Sequence, residues 1–315
     1  MSRRVVLAST LGVLLDGCGE RPRRARRLLG GLARASFSPE KPRALGPFDE
    51  DDALFERKQK PEPGDWLAEH AESYQSYRAY VALGPVRPTT TRSSIVLQPL
   101  GAFSPLARQI LGAVREHASL FFSMDVSIAD GMPLPTAGRR MRGKGERHSW
   151  QQHHAGTILK ELSMHLPANA VAYLGVTEAD LYPEKSWNFV FGEATLTERV
   201  GAYSLARFLP PFADVRTPED FARALRRSVQ LLAHETGHAF SLPHCVRFEC
   251  VMNGSNSLAE SDRAPIELCP DCLRKLAYAL GFEPLARYRA LGSFFARSGL
   301  GAESVWIARR LARLA

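Results

Sequence analysis

His234, Glu235, His238, His244 and Cys245 stand within the twelve residues of HETGHAFSLPHC. On a helix, imidazoles at positions 234 and 238 share one face, about one turn apart. His244 follows just after that helix must end. Three neutral imidazoles leave the fourth position of a tetrahedral Zn²⁺ open to water, the arrangement of a catalytic site. Glu235, next to the first ligand, has the position of a general base that takes a proton from that water.

Four of the five cysteines form a second constellation. Cys245 and Cys250 make one pair, and Cys269 and Cys272 a second, separated by the loop from Val251 to Leu268. Two close pairs at this spacing have the layout of a closed four-thiolate zinc site, which would be structural because no coordination position is left for chemistry. Two disulfides, or four inert buried thiols, remain alternatives.

The segment from His234 to Lys275 resembles the archaemetzincins, a branch of the metzincin metalloproteases. The resemblance rests on HETGHAFSLPHC, then VRFEC, VM and CPDC in that order. LGVTEADLYPEKSWNFVFGEATL (Leu174 to Leu196) and RVGAYSLARF (Arg199 to Phe208) extend it upstream. It implies an α/β fold: a metzincin-like mixed sheet with an active-site helix, a second, structural zinc site and a helical C-terminal part. It implies a zinc metallopeptidase carrying two Zn²⁺ per chain, acting on a peptide or protein substrate. Whether chain ends or interiors are cut, as by an aminopeptidase or an endopeptidase, stays open. It makes Met252 the Met-turn residue, an apolar floor under the metal and not a ligand. It also makes the stretch Asn188 to Ala194 the edge strand on which an extended peptide lies, with Asn188, Val190, Gly192 and Ala194 as its substrate-binding residues. Simple core packing is the alternative for both.

One position departs from the family pattern. Ser241 stands where metzincins usually carry a glycine, whose left-handed backbone ends the helix and swings the third histidine back. Serine reaches that conformation at about 1 kcal/mol. A catalytically weak zinc-binding or interaction protein is therefore the alternative function, with His244 as its doubtful ligand.

The zinc helix is legible apart from the motif. Thr217-Pro218-Glu219-Asp220 supplies a cap, a first-turn proline and two acids at the positive helix end. Phe221, Leu225, Leu232 and Ala239 fall on one stripe, and His234 and His238 on the other side with Arg227 and Gln230, as in a helix that lines a cleft. Upstream, the pattern predicts strands at Ser94–Pro99, Leu120–Ile128, Ala170–Val176, Trp187–Phe191 and Arg199–Ala206. It predicts helices at Gly64–Tyr80, Pro105–Leu120 and Ser149–Leu166. Gly131 to Gly145 reads as an exposed basic loop. His153 and His154, adjacent on the predicted helix, would face apart and not share a metal. Leu273–Leu280 and Glu283–Leu314 read as a helical cap. Alternating strands and helices followed by the metal-bearing helix point to an α/β sheet domain.

The chain of 315 residues divides into a basic leader (1–35), an extension rich in proline and charge (36–92) and the metalloprotease-like domain (93–315). The net charge of +8 is concentrated: residues 1–45 hold ten Lys/Arg against three acids, and the remainder is close to neutral. No nucleic-acid partner is expected for so neutral a body. Arg3-Arg4, the apolar run Val5 to Leu15 and Leu15-Asp16-Gly17-Cys18 resemble a lipoprotein signal, which would give a membrane anchor at Cys18. The five arginines that follow, and zinc-binding thiols, favour a cytoplasmic location instead. Both readings stay open.

Overall fold

The computed structural model describes residues 54–143 and 149–314, and the backbone of Val6–Ser9. The basic leader and the Cys18 anchor lie outside the described residues, apart from that short stretch of backbone.

Among the described residues, nine strands share one mixed sheet: β1 (Val6–Ser9), β2 (Ser94–Leu100), β3 (Asp125–Ile128), β4 (Arg139–Gly143), β5 (Ser149–His154), β6 (Ala170–Thr177), β7 (Asp180–Tyr182), β8 (Val190–Ala194) and β9 (Val200–Ser204). Their order is β3-β2-β6-β9-β8-β7-β5-β4. The β3-β2-β6-β9 half is parallel, and β8 runs antiparallel between β9 and β7. Every residue of β6 is buried, as expected of a central parallel strand with layers on both faces.

Helices α3 (Pro105–Phe122) and α5 (Pro218–Ala239) pack on one face of the sheet, and α4 (Ala155–Met164) on the other. The larger apolar cluster joins Ile110, Val114, Leu174, Leu225 and Leu232, and the smaller joins Ile158, Leu162, Tyr173 and Val200. After α5 come α6 (Leu258–Arg263), α7 (Pro270–Leu280), α8 (Pro284–Arg297) and α9 (Gly301–Leu314). Residues 54–92 carry two short helices, α1 (Trp66–Glu69) and α2 (Tyr77–Ala82), where one helix from Gly64 to Tyr80 was expected.

Three further expectations are corrected. Leu120–Phe122 extends α3, which stops at Ser123 in a left-handed cap, so β3 begins only at Asp125. The predicted helix from Ser149 starts instead as strand β5. His153 and His154 belong to that strand, and His154 caps α4 by accepting from Thr157 N–H at 3.2 Å. Arg139–Gly143, expected in a loop, forms edge strand β4 against β5.

Candidate metal centre

Helix α5 carries the first two imidazoles, and its start and stop are both locally encoded. Thr217 Oγ1 accepts from Asp220 N–H at 3.1 Å, and Asp220 reaches back to Thr217 N–H at 3.1 Å, a reciprocal capping box. The helix ends in a Schellman motif. Leu242 N–H donates to Gly237 O (3.1 Å), Ser241 N–H donates to His238 O (2.7 Å), and Ser241 sits at φ 68°. Serine thus does take the left-handed conformation. Its hydroxyl donates to Leu196 O (2.8 Å) and accepts from Val86 N–H (3.1 Å), two contacts that glycine lacks.

The turn brings His244 back. Its ring centroid lies 5.2 Å from that of His234 and 5.0 Å from that of His238. One ring nitrogen from each of the three lies within 4.8 Å of the others. The hydrogen bonds fix which nitrogen that is. His234 Nδ1 faces Val251 O at 2.8 Å and His238 Nδ1 faces Leu242 O at 2.6 Å. A carbonyl oxygen only accepts, so each Nδ1 carries the proton and each Nε2 is a bare lone pair. Those two Nε2 atoms face each other at 3.0 Å. Two lone pairs at this distance repel unless a cation lies between them; about 3.4 Å is the spacing of two nitrogens on tetrahedral zinc. His244 Nδ1 is held by Glu72 Oε1 at 2.8 Å, and its Nε2 is buried without a hydrogen-bond partner among the described residues. The donor set fits a divalent cation.

Burial reinforces this. It pushes His234 down to about 3, with the charge of His244 adding to the effect, and it pushes His238 well below the imidazole range. Both rings stay neutral, the form that binds metal. Burial also raises Glu235 well above the carboxylate range, and the charge of Glu193 raises it further. Glu235 is fully buried, and among the described residues neither of its oxygens has a hydrogen-bond partner. A Cβ on Gly192 would lie 2.7 Å from the Glu235 carboxyl carbon, so only glycine lets β8 pass this close.

The second half of α5 is buried on all sides, which differs from a helix with one face open to a cleft. Gln230 donates to Ser261 O (2.9 Å) and Arg227 pairs with Asp262 (2.6 Å), so the segment around α6 covers the polar stripe. Met252 is also buried. Its methyl group would lie 2.9 Å from a Cβ on Gly237, which places it under the helix between the two histidines.

Cys245, Cys250, Cys269 and Cys272 lie together with their sulfurs within 4.8 Å, all buried and unoxidised. Cys245 and Cys269 Sγ are 3.7 Å apart, against about 2.05 Å for a disulfide and about 3.8 Å for two thiolates on tetrahedral zinc. Hydrogen bonds from Cys250 and the other thiols pull Cys245 well below the thiol range; burial pushes Cys269 up, and the neighbouring thiols push Cys272 up. Backbone N–H groups of Cys269 and Cys272 point at sulfurs of Cys250 and Cys269, as thiolates require.

Two residues that the motifs did not flag build this corner. Asn253 Nδ2 donates to Cys245 O (2.7 Å) and Phe248 O (2.9 Å), and its Oδ1 accepts from Cys250 N–H (2.9 Å). The only hint in the sequence is the turn-forming Asn-Gly that follows Met252. Glu72 has no local signal at all.

Of the four residues expected on the substrate strand, Val190, Gly192 and Ala194 lie in β8. Asn188 precedes it, and its carbonyl accepts from Gln152 Nε2 (2.8 Å) and Arg140 Nη2 (3.2 Å). β7 pairs with β8 only at Val190. Beyond it, β1 lies parallel along the same edge, with Ala8 opposite Glu193 and Ser9 opposite Ala194. A cavity of about 760 Å³ opens on the site, lined among others by Trp66, His70, Trp187, Glu193 and His244.

A sequence model of peptidase family M54 matches residues 157–278, a span that takes in both clusters and excludes residues 54–92. Archaemetzincin-2 of Pongo abelii is 35% identical over 258 residues, covering 73% of this chain and 71% of the relative. Archaemetzincin-2 of Homo sapiens is 34% identical over 258 residues, with the same coverage of 73% and 71%. Among solved structures, an archaemetzincin from Methanopyrus kandleri is 31% identical at a TM-score of 0.46, covering 60% of this chain and 96% of its own.

Proposed function

Since the chain belongs to the archaemetzincin family, the M54 peptidases, and is a zinc metallopeptidase, we propose that His234, His238 and His244 hold its catalytic zinc and that Glu235 is the general base of peptide hydrolysis. The observation that carries this reading is the convergence of three Nε2 lone pairs, with Glu235 on the same helix buried against Gly192 of β8.

Zinc, when bound there, supplies a Lewis acid that polarises the scissile carbonyl and acidifies the attacking water. Glu235 takes the proton of that water and returns it to the departing amine. Its buried, poorly solvated carboxylate is a strong proton acceptor, and a dication held by the three imidazoles would favour its ionised form. The Val251 and Leu242 carbonyls keep the first two rings in the metal-binding tautomer. In the same reading, Cys245, Cys250, Cys269 and Cys272 hold the structural zinc, and Met252 fills the floor beneath the helix. The peptide adds as a strand to the edge of β8 at Gly192 and Ala194. Val6–Ser9 occupies that edge in the structure, so a substrate must displace it.

Glu235→Ala tests the assignment. Both zinc ions are retained and hydrolysis falls by at least about 10²-fold, the usual worth of a general base. Turnover at the native rate in a variant with two bound zincs removes Glu235 from the mechanism.

A further inference from the structure

The three imidazoles do not take their Nδ1 partners from the same part of the chain. His238 uses the Leu242 carbonyl in the turn that ends α5 and His234 the Val251 carbonyl nine residues further on, whereas His244 uses the side chain of Glu72, 172 residues upstream. Glu72 belongs to the stretch 54–92, and that stretch grips the site at three more points. Trp66 sets its indole edge-on against the His244 ring, centroids 4.9 Å apart, and lies over Gly254 so closely that a Cβ there would be 2.6 Å from the indole. Tyr80 Oη donates to Phe240 O at 2.7 Å, at the end of α5. Val86 N–H donates to Ser241 Oγ at the left-handed turn itself.

We propose that Glu72 is a positioning residue of the zinc site, and that the N-terminal extension therefore completes a centre whose ligands all lie in the C-terminal half. The proposal rests on the reading that the three imidazoles bind zinc. His244 stands in the irregular segment after the turn, not on a helix, so its backbone holds the ring less firmly than α5 holds the other two. Its side chain is 1% exposed while that of Glu72 is 24% exposed, so the carboxylate reaches in from the cavity wall to a buried ring. By accepting from Nδ1–H, Glu72 fixes the tautomer and directs Nε2 toward His234 and His238. A carboxylate in this role also increases the electron density that the ring offers a metal. Carbonyl partners do the first of these tasks for the other two rings. Glu72 adds the second at the ligand that most needs both.

The test is metal binding by the full chain, with native protein compared with Glu72→Ala and Glu72→Gln. Cobalt(II) titration separates the two sites, because only the thiolate site gives sulfur-to-metal charge-transfer bands. Chelator competition then gives the affinity of the imidazole site. In Glu72→Ala that affinity falls about 10–100-fold, the range for loss of a ligand's hydrogen-bond partner, while the thiolate bands persist and show that the fold is intact. Glu72→Gln keeps an acceptor oxygen and recovers part of the loss. An alanine variant within twofold of native overturns the proposal, and so does a glutamine variant as weak as alanine. A native chain that takes no cobalt on its imidazoles overturns the zinc reading itself, which is a distinguishable result.

Discussion

Replacing Ser241 separates two opposing effects at the turn that delivers His244. The residue holds φ at 68°, which strains any side chain with a Cβ by about 1 kcal/mol. Its hydroxyl makes two hydrogen bonds, to Leu196 O and from Val86 N–H, each worth about 1 kcal/mol net. Ser241→Ala keeps the strain and loses both bonds, so stability falls by about 2 kcal/mol. Ser241→Gly loses the same bonds but relieves the strain, and gives back about 0.5 kcal/mol through a freer unfolded chain, a net loss of about 1.5 kcal/mol. The expected order is native, then glycine, then alanine. Thermal unfolding in excess zinc reads it, at about 2–4 °C per kcal/mol for a domain of this size. Peptidase activity of the glycine variant stays within about twofold of native, because the left-handed turn is preserved. A glycine variant as stable as native refutes this: it would mean that the serine is only a tolerated strain and that its hydroxyl bridges nothing.

Two further outcomes follow from buried groups. His117 is buried against Phe121, Phe294 and Phe295 with no hydrogen bond to either ring nitrogen among the described residues, and burial, helped by the charge of Arg287, pushes it down to about 3. The unfolded chain takes up its proton near pH 6.5 and the folded chain does not, so stability is lost as pH falls from about 6.5 towards 3. At pH 5 the loss is about 2 kcal/mol. His117→Leu removes that share of the acid sensitivity, read as the difference between variant and parent in urea midpoints at pH 5 and 7.5; equal shifts in both proteins would show that His117 titrates normally. Gly192→Ala drives a methyl group into the Glu235 carboxyl, so hydrolysis drops by at least about tenfold while both zincs stay bound, and native activity in this variant contradicts the close approach of β8.

Short-range chemistry made the site legible in the sequence. The helix cap at Thr217, the i, i+4 histidines and the paired cysteines are all local patterns, and the structure gathers each set. What escaped the reading depends on distant partners. The run Ser149–His154 has no β-branched residue and no apolar alternation, and it becomes a strand because Asp180 accepts from Trp150 and Gln152 across the sheet. Leu120–Phe122 looks like the start of a strand by composition, yet α3 carries these side chains into the core until Ser123 ends it. The polar side of α5 reads as lining a cleft, since nothing local announces that the segment around α6 will cover Arg227 and Gln230. Glu72 is the clearest case: one acid in an acid-rich stretch, its role fixed only by a histidine that lies 172 residues away.

The central claim is that three imidazole nitrogens share one zinc. Anomalous diffraction at the zinc edge from crystals of the purified full chain tests it directly. The account predicts two peaks, one among His234, His238 and His244 and one among the four thiolates. A single peak at the thiolates, with the three rings ordered and no metal between them, would contradict it.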